Sequence, residues 1–136
     1  MGFYSSFTFD IIYMVTVIGE VENKIDYICS MDNNDKIINL VLAVINKKYP
    51  DSEIYLYGSR ARGDANPLSD WDLLILLSNP DVPFTLETEV LDDIYEIELE
   101  TGELISPLVY SKSEWYNKHR ITPLFENIEK ESIKIK

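Results

Sequence analysis

The chain has one cysteine, Cys29, so no disulfide can form within it. That suits a reducing cytoplasm, and the thiol reads as incidental rather than nucleophilic. Long hydrophobic runs are also missing. The longest early one, Ile11 to Ile18, is far too short to cross a membrane. Asp10 precedes it where a secretory leader would carry basic residues, so a leader is a poor fit. There is no internal repeat and no low-complexity tract.

Basic residues are the most telling shortage. The chain carries 12 Lys and Arg against 24 Asp and Glu, for a formal net charge of -12. Between Gly63 and Ser111 there is no Lys or Arg at all, yet that stretch holds half of the acids. Such a chain has no long-range attraction to a phosphate backbone, so direct nucleic acid binding is not expected. An acidic half suits divalent cations, although most of these carboxylates read as solvated helix surface.

What is present is enough for one domain of ordinary size: 136 residues, 46% hydrophobic. Residues 1–30 read as an extension of uncertain role, with strand-like composition and no chemistry; residues 31–136 read as the functional domain. From Asp35 the periodicity is helical, with Ile37, Val41, Val44 and Ile45 on one stripe. Asn33, Asn34 and Asp35 offer N-caps, Lys47 and Lys48 suit the C-terminal dipole, and Pro50 stops the helix. "EIYLYGS" reads as a strand ending at Gly58, and "RARGDANPLS" as a loop with room for one helical turn at its start. "DWDLLILLS" is apolar without a break, as a central buried strand would be. A helix follows, with Leu86, Val90, Ile94 and Ile97 inward and Gly102 at its end. "ELISPLVYS" reads as a third strand, placed at an edge or bulged by Pro107. Two short helices complete the chain, the first anchored by Trp115. The class is α/β (α+β): a small mixed sheet with helices packed against it.

The chemistry gathers in "GSRARGDANPLSDWD", residues 58 to 72. Alternation along a strand puts Asp70 and Asp72 on one face, about 6.7 Å apart, and Trp71 on the other. Two carboxylates at that spacing can share divalent cations. Gly58 lets an anion approach the backbone, and Ser59 adds a hydroxyl. Arg60 and Arg62 bring positive charge. Tyr57 reads as strand packing and His119 as a surface residue.

A Gly-Ser pair, ten residues and then Asp-x-Asp closely resembles the signature of the minimal nucleotidyltransferases, within the DNA polymerase beta-like nucleotidyltransferase superfamily. The likeness covers roughly residues 31 to 115 or beyond. It implies transfer of a nucleoside monophosphate, AMP first, from a nucleoside triphosphate such as ATP to a hydroxyl, assisted by two Mg ions. Asp70 and Asp72 would hold the metal. Gly58 and Ser59 would hold the departing pyrophosphate, helped by Arg62 and Arg60. It also implies a partner: many such proteins accompany a HEPN-domain protein, which they neutralise by binding or by adding AMP.

One element departs from the pattern. The family's next strand carries a third carboxylate, and here the matching position is Ser106. Either Glu103, brought inward by a bulge near Pro107, takes its place, or the third ligand is missing. The second case leaves a catalytically inactive nucleotide-binding or interaction module of the same fold. Modification of a cationic aminoglycoside is a further reading, for which the chain is short.

Overall fold

The computed structural model describes residues 33–136. The chain divides into two compact units, Met1–Lys36 and Ile37–Lys136. Of the first, the described part is the opening turn of a helix. The strand expected before residue 30 lies outside the described residues.

Helix α1 (Asn33–Lys48) begins early enough to include Asn33 and Asn34, so its N-cap also lies outside them. Ile37, Val41 and Ile45 are buried on one stripe, as the 3.6-residue period demands. The helix stops two residues before Pro50. Strand β1 (Glu53–Tyr57) follows and runs directly into a five-residue helix, α2 (Gly58–Arg62). A loop leads to β2 (Trp71–Leu77), the long helix α3 (Phe84–Thr101) and β3 (Ile105–Ser111). Helix α3 ends at Gly102, whose N–H returns to the Glu98 carbonyl. Two short helices come next, α4 (Lys112–Asn117) and α5 (Pro123–Glu131). Side chains cap both: Ser111 accepts from the Glu114 N–H and Thr122 from the Phe125 N–H.

The sheet has the order β3-β2-β1-β4, where β4 is the two-residue strand Ile133–Lys134. Strand β2 pairs parallel with β3 and antiparallel with β1, so the sheet is mixed. Strand β2 is central, and every residue of it except Asp72 is buried, which explains its unbroken apolar run. Pro107 sits on the edge strand, as its missing N–H requires. The ladder runs past it without a slip, from Trp71↔Ile105 to Leu77↔Ser111, so the expected alternative of a bulge is not formed. Strand β4 was not foreseen. Its signal is the alternation Ile133-Lys134-Ile135-Lys136.

The two sheet faces bury different sets. Trp71, Leu73, Ile75 and Leu77 pack with Ile54 and Leu56 against α1 and against Val90, Ile94 and Ile97 of α3. The other face holds a smaller core, in which Leu74 and Leu76 meet Trp115 of α4 and Ile128 of α5. Each such buried side chain stabilises the fold by about 1.5–3 kcal/mol. His119 is not a simple surface residue: its ring lies 4.4 Å from Tyr110 and 5.7 Å from Trp115, centroid to centroid, within this second aromatic layer.

Candidate active site

Strand β1 delivers the chain to Gly58, which has φ +73, a left-handed conformation that side-chain-bearing residues avoid. The position also lacks room. A Cβ on Gly58 would collide with the Asp72 carboxylate, so glycine is what lets the backbone approach Asp72. Tyr57, the residue before, is the register partner of Asp72 across the antiparallel ladder.

Asp70 stands immediately before β2, and Asp72 is its second residue. In the parallel ladder Asp72 faces Ser106, whose hydroxyl donates to Asp70 Oδ2 at 3.2 Å. Both aspartates therefore share the face that carries Ser106, while Trp71 between them is sealed in the larger core. Asp70 is exposed and Asp72 half-buried. Burial first, then the charge of Asp70, pushes the Asp72 carboxyl above the usual carboxylate range; Glu131 adds to this and Arg62 opposes it. Burial, followed by the charges of Asp72, Tyr110 and Glu131, pushes the Tyr57 hydroxyl up to about 12.

Two expected residues stand apart from this group. Arg60 donates from Nε and Nη2 to the Ser69 carbonyl, at 3.1 and 2.7 Å, and its guanidinium lies 4.3 Å above the Trp71 ring. It thus clamps the residues on both sides of Asp70 and orients that carboxylate from behind. The reason is angular: residues two apart on a helix point about 200° apart, so Arg60 and Arg62 cannot both face the site. Glu103 is the second. Its Oε2 accepts from the Trp71 indole N–H at 3.4 Å and lies 3.5 Å from Arg60 Nη2. With no bulge at Pro107, its parity carries it to the Trp71 side, away from the aspartates.

Glu131 was not foreseen in the site. From the last position of α5 its Oε1 accepts the Gly58 N–H at 3.2 Å, and its Oε2 lies 3.0 Å from Arg62 Nη1. These contacts bring Gly58, Arg62, Glu131 and Asp72 into one place. Ser59 follows Gly58 and is half-buried. A shallow cavity of about 250 Å³ lies at the opposite end of the sheet, lined by residues of the α1–β1 turn and by Ser78 and Asn79.

Among the described residues, no three His, Cys, Asp or Glu side chains are gathered as a metal ion's full ligand set. The chemistry still fits a divalent cation: two hard oxygen donors share a face, and one of them is held against a like charge. Magnesium takes few protein carboxylates and completes its shell with water and substrate phosphate oxygens. Asp70 and Asp72 are the residues that could supply the protein part of such a set.

The chain belongs to the nucleotidyltransferase domain family, whose model matches residues 38–135. Similar solved structures include two toxin–antitoxins. One is a toxin–antitoxin crystallised with AMP-PNP, at 15% identity and TM-score 0.54, covering 73% of this chain and 72% of that one. The other is a mutant of the toxin–antitoxin MntA-HpeT, at 18% identity and TM-score 0.48, covering 76% and 72%. At that identity the first likeness shows the fold, a mixed α/β nucleotidyltransferase fold. No curated protein matches the sequence. Among the described residues no helix is long and apolar enough to cross a membrane.

Proposed function

We propose that the protein transfers AMP from ATP to a hydroxyl group of a protein partner, using magnesium held by Asp70 and Asp72. The observation that carries this reading is the contact between Gly58 and Asp72. A backbone kept free of side chains lies directly against a half-buried carboxylate, with a second carboxylate beside it. That is the juxtaposition a metal-bound triphosphate needs. Bound magnesium would neutralise charge on the reacting phosphates. The Gly58 N–H, the Ser59 hydroxyl and Arg62 would hold the β- and γ-phosphates. The acceptor oxygen forms a bond to the α-phosphorus as the bond to pyrophosphate breaks. The hydroxyl proton leaves through Asp70, the carboxylate beside the position of the missing third acid. Arg60 and Glu103 act as positioning residues behind Trp71.

A HEPN-domain protein is the proposed partner. The sequence resemblance implies one, and a similar solved structure is a toxin–antitoxin crystallised with AMP-PNP. The acidic stretch between Gly63 and Ser111 would favour a basic partner. A cytoplasmic setting accords with the single cysteine. The test is transfer of label from α-labelled ATP to the partner with Mg²⁺, against Asp72→Asn as control. Label on the partner that disappears in the variant supports the reading; equal labelling by both overturns it.

A second reading has its own observation. Ser106 occupies the third-acid position, and Glu103 faces away. A protein that binds MgATP and its partner but transfers no label would be a non-catalytic module of this fold.

A further inference from the structure

We propose that Glu131 is an internal occupant of the phosphate cradle, which a nucleoside triphosphate must displace in order to bind. This rests on the nucleotidyltransferase reading of the same site. The Glu131 carboxylate engages two of the groups assigned to the leaving phosphates, the Gly58 N–H and the Arg62 guanidinium. A carboxylate and a phosphate present the same chemistry to such donors: anionic oxygens accepting charge-assisted hydrogen bonds.

The placement of Glu131 is otherwise unfavourable. It is the last residue of α5, where the helix dipole opposes a negative charge. It also adds to the negative field at Asp72. What favours it there is the pair of donors, and those are what a triphosphate would claim. The helix closes with the Ser132 N–H on the Ile128 carbonyl, and the following strand β4 is held to β1 by Leu56↔Ile133 and Tyr55↔Lys134 and by hydrogen bonds of Ile135 and Lys136 with Ile54, so displacement falls to the Glu131 side chain rather than to its backbone. Glu131 thus keeps the cradle satisfied before nucleotide arrives and sets the affinity once it does.

The experiment is calorimetric titration of MgATP into the full chain and into Glu131→Gln and Glu131→Ala, with melting temperatures recorded without nucleotide. Displacement predicts that Glu131→Ala binds MgATP about tenfold more tightly, the scale of one charge-assisted hydrogen bond no longer broken on binding. Glu131→Gln, which keeps an oxygen for Gly58 but loses the charge facing Arg62, should fall between. The melting temperature of both variants should stay level or drop. Equal or weaker binding by both variants, with the unaltered chain binding normally, overturns the proposal and leaves the nucleotidyltransferase reading standing. No MgATP binding by any of the three overturns both.

Discussion

Ser106 faces Asp72 across the parallel ladder and donates its hydroxyl to Asp70. A side chain one carboxylate short of the family pattern therefore touches one aspartate and is in register with the other. Ser106→Asp would place a third carboxylate on the same face. Without metal, three like charges in one patch lower stability. With magnesium the patch becomes a fuller ligand set. The variant should melt below the parent in chelator and recover when Mg²⁺ is added. Label transfer should rise about a hundredfold, the low end of what a positioned base contributes. A melting temperature indifferent to Mg²⁺ would count against a metal site on this face.

Gly58→Ala tests the close approach. The positive φ alone costs about 1–3 kcal/mol, and the added Cβ meets the Asp72 carboxylate. Gly63 supplies the control, since its φ is +82 and a Cβ there meets nothing within 4 Å. Both alanine variants should lose stability in denaturant unfolding, while only Gly58→Ala should lose MgATP binding. If Gly63→Ala loses binding equally, the effect is general strain and the cradle argument fails.

The two arginines should separate cleanly. Arg60→Ala removes two hydrogen bonds to Ser69 and the stack on Trp71, at a side chain only 11% exposed. A loss of about 2–3 kcal/mol is expected. Arg62 is 45% exposed, and solvent screens its pairs with Asp64 and Glu131, so they add little to stability. Arg62→Ala should fold normally but bind MgATP about tenfold more weakly, one charged contact to phosphate having gone. The opposite pattern, with Arg60 governing affinity and Arg62 governing stability, would reverse the assignment.

How far the sequence disclosed this site depends on the range of each signal. Asp70 and Asp72 were legible because strand alternation is local and β2 is apolar enough to be recognised. The stripes of α1 and α3 were legible for the same reason. Arg60 was misplaced because two basic residues on a five-residue helix look alike until the helical turn separates them. Glu103 depended on whether Pro107 would bulge the strand, which only the pairing with β2 decides. Glu131 lies 73 residues from Gly58 and sits on an ordinary amphipathic helix. Nothing local marks it; β4 must first bring the chain's end beside β1.

A protein beginning at Met31 is expected to keep the site. All the residues placed in it lie between Gly58 and Glu131, and β4 pairs within the second unit. The measurements are melting temperature and MgATP affinity. A truncated protein that folds but binds no nucleotide would assign residues 1–30 to the site and overturn the boundary.

The last expectation is a pH dependence at the strand that neighbours β4. Glu53 accepts hydroxyl hydrogen bonds from Tyr55 at 3.0 Å and Tyr116 at 3.2 Å, with Lys112 and Lys134 at 3.6 and 3.8 Å. Burial alone would raise its carboxyl, but the Tyr55 hydroxyl, the two lysines and Tyr116 outweigh it, so the folded value lies below the ordinary 4.5. Between the folded value and that ordinary one, the unfolded chain binds more protons, so stability rises with pH. The contribution is present above the unfolded value and is lost as pH falls through the folded one. Glu53→Gln lacks it at every pH. At pH 7 the variant should be less stable by about 1 kcal/mol or less, as for part-exposed ion pairs. On acidification the parent should lose this advantage, and the two melting curves should converge. A gap that stays constant from neutral pH down to strong acid would show that Glu53 contributes through packing rather than charge.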